Sequence, residues 1–171
     1  MLTSIIGCGN PTRRDDGAGI FVIQQLLKNE LLLNRADLKL IDAGTSGMDV
    51  MLQAKGSSAL IIIDANKSGS EPGAIFKVPG EELENLPVPS YTLHDFRWDH
   101  AIYSGKMIYK DNFPRDICVF LIEAKDLDFG LGLSPEVKAA AERVVQMILQ
   151  LLAENQSCND ERIAENPARQ G

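Results

Sequence analysis

The chain has 171 residues, 44% of them hydrophobic, and carries 24 acidic side chains against 17 lysines and arginines for a formal net charge of −7. That length buries one α/β core without help from disulfides or structural metals, and the acidic balance excludes the basic surface on which nucleic-acid binding rests. Three cysteines, Cys8, Cys118 and Cys158, show no CxxC spacing, and no stretch reaches the ~18 consecutive apolar residues of a membrane span; a reduced, cytoplasmic chain with no membrane contact is expected.

The first apolar run, Leu2 to Ile6, reads as a buried strand passing into a glycine turn, Gly7-Cys8-Gly9-Asn10, that delivers Asp15 and Asp16. The turn has the glycines of a phosphate cradle, yet two carboxylates at the mouth of a helix repel an anion and suit a cation. A helix is predicted over Gly19 to Leu32, with Ile20, Ile23, Leu27 and Leu31 as its buried stripe. Leu38 to Ile41 reads as the second strand, followed by the turn Asp42-Ala43-Gly44-Thr45 and a short helix from Met48 to Ala54. Ala59 to Ile63 reads as the third strand and leads to Asp64. Near-continuous hydrophobicity implies cover on both faces, and alternation with helices implies a parallel sheet.

Ala74 to Val78 follows too closely for a crossover helix and is expected to pair antiparallel. Pro87 and Pro89 mark an irregular connection that ends where a helix runs from Trp98 to Ile108, and Ile117 to Ile122 reads as a strand leading to Glu123. The last helix has Ser134 as cap, Pro135 at its first position, Glu136 complementing its dipole, and Val137, Ala141, Val144, Ile148 and Leu151 as its buried stripe. Residues 1–154 form one domain in this reading, and 155–171, polar and aperiodic, a disordered tail.

Each strand thus ends at or near an acid: Asp15 and Asp16, Asp42, Asp64 and Glu123. If the strands are parallel, these acids share the carboxyl edge of the sheet, the usual ligand site of open α/β folds. Acids at strand ends also cap helices and bind loop amides, so for each one a structural role weighs equally. His94 and His100, the only histidines, both lie in the proline-rich crossover region. A neutral imidazole beside Asp16 and Asp64 completes an O,O,N set acceptable to a borderline divalent ion. There is no HExxH, zinc-ribbon or EF-hand spacing and no GxSxG elbow, and acids beside Cys8 weaken it as a nucleophile, so it reads as a core residue.

In order along the chain, Gly7-Cys8-Gly9-Asn10 with Asp15-Asp16-Gly17, Asp42-Ala43-Gly44-Thr45-Ser46-Gly47-Met48, Ile61-Ile62-Ile63-Asp64-Ala65, Leu93-His94 and Gly132-Leu133-Ser134-Pro135 resemble the motifs of the hydrogenase maturation endopeptidases. Residues 71–102 further resemble the branch serving uptake hydrogenases. The resemblance implies a three-layer α/β/α fold on a mixed, mostly parallel five-stranded sheet with one antiparallel strand. It implies an endopeptidase that removes the C-terminal extension of a [NiFe]-hydrogenase large-subunit precursor, with nickel carried by that precursor. Carried over by position, the catalytic and metal-binding residues are Asp16, Asp64 and His94, and many members have glutamate where this chain has Asp16. Asp42, Gly44 and Thr45 are assigned to substrate recognition, with a purely structural turn close behind; His100 and Asp99 carry no assigned role. Two other readings stand: a non-proteolytic nickel-dependent chaperone of the same precursor and, more weakly, a dinucleotide-binding oxidoreductase, which lacks its third glycine where the chain has Thr12.

Overall fold

A computed structural model describes residues 1–85 and 97–165 in full backbone, with side chains described as far as residue 154 apart from 84 and 85. Five strands, β1 (Thr3–Cys8), β2 (Leu38–Gly44), β3 (Ala59–Asn66), β4 (Ile75–Pro79) and β5 (Asp116–Glu123), form one sheet in the order β2-β1-β3-β5-β4. All neighbours are parallel except β4, which runs antiparallel to β5. This is the expected mixed sheet, including its one reversed strand.

Helices α1 (Ala18–Leu27) and α5 (Pro135–Glu165) cover one face, and α3 (Gly47–Ala54) and α4 (Trp98–Tyr109) the other; α2 (Glu30–Leu33) is a single turn. The period of two along each strand divides the core. Ile5, Ile61, Ile63, Phe120 and Ile122 pack with α1 and α5, whereas Ile6, Cys8, Leu60, Ile62, Ile117 and Val119 pack with α3 and α4. By the same parity Asp64, two residues beyond Ile62, belongs to the α3 and α4 face.

Three local expectations need correction. The single helix expected over Gly19 to Leu32 breaks at Lys28, because Asn29 turns its side-chain oxygen onto the Leu31 N–H at 3.0 Å and starts a new turn. Leu31 is consequently 83% exposed and Leu27 also faces outward, while Val22 and Leu26 join Ile20 and Ile23 inside. The polar stretch from residue 155 continues α5 as far as Glu165, with no glycine or proline to stop the helix before Pro167. At the start of α5, the Ser134 hydroxyl donates to Asp15 rather than capping its own helix. Among the described residues no helix is long and apolar enough to cross a membrane.

Candidate active site

Strand order reverses direction between β1 and β3, so the crevice at their carboxyl ends is the topological switch point of the sheet. A cavity of about 340 Å³ opens there, lined by Cys8 at the end of β1 and Gly9 after it, Asp16, the Gly44 to Gly47 turn, Asp64 to Asn66 at the end of β3 with Lys67 beyond, Leu127, and Arg97 with Trp98 at the start of α4. The turn after β1 can enter this crevice because Gly9 adopts φ +123°, where a side chain would also run into the Asp16 carbonyl.

The structure sorts the strand-end acids. Asp15 is fully buried and faces away from the cavity lining; its carboxylate accepts from the N–H groups of Lys125 (2.9 Å), Asp126 (2.9 Å) and Ser134 (2.6 Å) and from the Ser134 hydroxyl (3.0 Å). Glu123 is buried as well and accepts from the Ser68 and Gly69 N–H groups and the Ser68 hydroxyl. Burial works to raise its pKa, and those hydrogen bonds outweigh it, holding the carboxyl below its ordinary value. Asp42 is exposed and accepts from the Gly44 N–H at 2.9 Å, an Asx turn that lets Gly44 take φ +53°. Gly44 and Thr45 line the cavity; Asp42 does not.

Asp16 and Asp64 remain, and they share the cavity. Asp16 is half-buried, and its Oδ2 accepts from the Asn10 N–H at 3.1 Å. Asp64 is buried; its Oδ1 accepts from the Ala65 N–H at 2.8 Å and its Oδ2 lies 3.3 Å from Arg97 Nη2. Burial pushes the Asp64 carboxyl up from 3.8 to about 6; Arg97 and the Ala65 N–H pull against that rise, and the charge on Asp16 adds to it. Cys8 is raised as well, by burial first and then by Asp64, so the thiol stays protonated and unreactive in the core.

A second consequence concerns stability. The native state holds the Asp64 proton more tightly than the unfolded chain, so this contribution favours folding at acidic pH and is lost as pH rises through about 6. The gap from 3.8 to about 6 corresponds to on the order of 3 kcal/mol. Asp64→Asn, which keeps the shape and cannot ionise, is therefore expected to melt roughly 5–10 °C above the wild type near pH 8. Thermal melts at falling pH check this, because the advantage should shrink as pH falls through about 6 and vanish near 3.8.

Sequence reasoning did not find Arg97, whose pairing with Asp64 spans the sheet and a crossover and leaves no local spacing to read. Nor did it single out Trp98, which buries its indole Nε1 beside the cavity with no hydrogen-bond partner among the described residues. His94 lies outside the described residues. Asp99 and His100 do not line the cavity; Asp99 accepts from the His100 N–H at 3.0 Å in the first turn of α4. Among the described residues no three histidine, cysteine or acidic side chains gather as a metal-holding group.

Comparison with known proteins agrees with this architecture. The family model for hydrogenase maturation proteases matches residues 21–151. A Methanocaldococcus jannaschii protein described as a hydrogenase maturation protease is 31% identical over 152 residues, covering 85% of this chain and 92% of that one. The hydrogenase 2 maturation protease of Escherichia coli is 24% identical over 156 residues, covering 91% of this chain and 93% of its own. Among solved structures, the hydrogenase maturating endopeptidase HybD from E. coli superposes with a TM-score of 0.78 over 91% of this chain and 94% of that one, at 24% identity. With motifs, topology and more than half of its length in agreement, the chain belongs to the hydrogenase maturation protease family.

Proposed function

We propose that this endopeptidase takes the nickel-loaded large-subunit precursor of a [NiFe]-hydrogenase as its substrate, grips the nickel through Asp16, Asp64 and His94, and removes the C-terminal extension. The observation that carries this reading is the meeting of Asp16 and Asp64 in one cavity at the switch point, while the other strand-end acids are committed to loops. A carboxylate pair in a partly buried cleft, met by one exposed arginine at a single 3.3 Å contact, keeps a demand for positive charge that a metal presented by a substrate satisfies. Carboxylate oxygens with an imidazole nitrogen suit a borderline divalent ion and leave positions for ligands from the precursor.

Bound there, nickel would supply Lewis-acid chemistry, polarising the scissile carbonyl or acidifying a water. The chain's own contribution is positioning. Asp64 is fixed by the Ala65 N–H and Asp16 by the Asn10 N–H, so both carboxylates are oriented before substrate arrives. Gly44 and Thr45 border the same cavity; the Gly44 N–H and carbonyl are already paired with Asp42 and Gly9, which leaves the exposed Thr45 to meet an incoming peptide. A precursor without nickel lacks the bridge between its own ligands and these acids, so cleavage waits for metal insertion. On the resemblance carried by residues 71–102, we assign the precursor to an uptake hydrogenase.

Intact-mass measurement of purified nickel-loaded precursor, incubated with this protein, tests the reading. A large subunit shortened at its C-terminus is the expected result. An unchanged mass with a stable complex would instead identify a chaperone that leaves cutting to another protein.

A further inference from the structure

Two basic side chains share the cavity with the acids, Lys67 and Arg97. Lys67 is committed elsewhere: its Nζ donates to the carbonyl oxygens of Ala124 (3.0 Å) and Lys125 (2.8 Å), tying the end of β3 to the loop after β5. Arg97 reaches the acids, through one contact of 3.3 Å between Nη2 and Asp64 Oδ2. Because Oδ1 already accepts from the Ala65 N–H, Oδ2 is the oxygen of Asp64 that an incoming cation would use.

The contact has the features of one that gives way. Charge-assisted hydrogen bonds ordinarily close to about 2.7–2.9 Å, and Arg35 holds Asp37 by two bonds of 3.0 and 2.6 Å. Arg97 makes a single, longer approach, and its side chain is 61% exposed while that of Asp64 is 9% exposed. Its backbone is held, since the Arg97 carbonyl accepts from the Ala101 N–H at 3.0 Å in the first turn of α4. Only the side chain has to move. A guanidinium and a metal ion on the same oxygen repel each other, so metal binding at Asp64 is an exchange rather than an addition.

Resting on the metal-capture reading above, we propose that Arg97 is a positioning residue: its guanidinium serves as the displaceable counter-ion of Asp64 and lowers the affinity of the empty cavity for free divalent cations. A metal presented by the precursor brings further contacts that offset the displacement; a hydrated ion does not. The cavity thereby resists loading with metal in the absence of substrate.

The test is Ni²⁺ alone, titrated into the full chain near pH 8 in competition with a chromophoric chelator. The proteins are the wild type, Arg97→Gln, Arg97→Lys, Asp64→Asn and the Arg97→Gln/Asp64→Asn pair. Removing the competitor should tighten Ni²⁺ binding roughly 3–10-fold in Arg97→Gln, the span expected of a half-exposed ion pair that occupies the site most of the time. Arg97→Lys, which keeps the charge, should return the affinity toward wild type, a rescue that a merely structural role for Arg97 does not predict. Asp64→Asn should erase the gain. Equal or weaker binding by Arg97→Gln, with Asp64→Asn still weakening the wild type, overturns the role of Arg97 and leaves the metal-capture reading standing. Binding indifferent to Asp64→Asn overturns both, as does no binding by either the wild type or Arg97→Gln.

Discussion

Replacing Asp16, Asp64 or His94 by alanine is expected to cut processing of nickel-loaded precursor by more than about 100-fold, beyond the 10–100-fold that loss of a residue supporting a metal ligand costs. In the proposed site each substitution would remove one donor of three, and the remaining ligands would have to hold the ion against water. For the two acids the loss should not arise from unfolding. Asp16 is half-buried and accepts a single backbone hydrogen bond among the described residues. Asp64, when ionised, is a buried charge that the fold tolerates at a cost. Intact-mass assays with circular dichroism on the same samples separate the two effects. Processing retained by all three variants would remove the proposed site, whereas loss of processing with native spectra supports it. Asp42→Ala is a useful contrast, because Asp42 is exposed and serves the turn rather than the cavity, so its effect should be far smaller.

Much of this arrangement was legible in the sequence, for reasons that can be named. Buried strands of a doubly covered sheet are continuous apolar runs, so all five strands could be placed, with ends that differ from the structure by at most three residues; β4 keeps its length and shifts by one. The antiparallel member followed from chain length alone, since the eight residues between Asn66 and Ile75 cannot hold a crossover helix. The carboxyl-edge acids followed from topology. What could not be read was the sorting of those acids, because each role is decided by donors far away in sequence. Asp15 is satisfied by residues beyond 124, Glu123 by the Ser68 loop, and Asp64 meets a guanidinium from another element. The break after Leu27 was missed for a local reason: Asn29 competes for a backbone N–H, and a hydrophobic pattern running through it conceals that competition.

Asp15 and Asp16 are adjacent, identical in chemistry, and expected to fail in opposite ways. Asp15→Ala strips the acceptor from three backbone N–H groups and the Ser134 hydroxyl at a fully buried position. Losing four hydrogen bonds to a buried carboxylate costs about 3–5 kcal/mol, which for a chain of this size lowers Tm by roughly 6–15 °C. The damage should concentrate where the loop after β1 meets the loop after β5. There the Arg14 N–H donates to Gly130 O at 3.0 Å, the Gly130 N–H to Thr12 O at 2.9 Å, and the Asp15 N–H to Asp126 O at 3.2 Å. Hydrogen exchange should therefore rise first at Lys125, Asp126 and Ser134, the amides that Asp15 holds, and at the start of α5. Asp16→Ala should leave those amides protected and the melting temperature within a few degrees of wild type while processing is lost. A matching exchange pattern in the two variants would contradict the division of labour argued here, in which one acid builds the rim of the cavity and its neighbour faces into it.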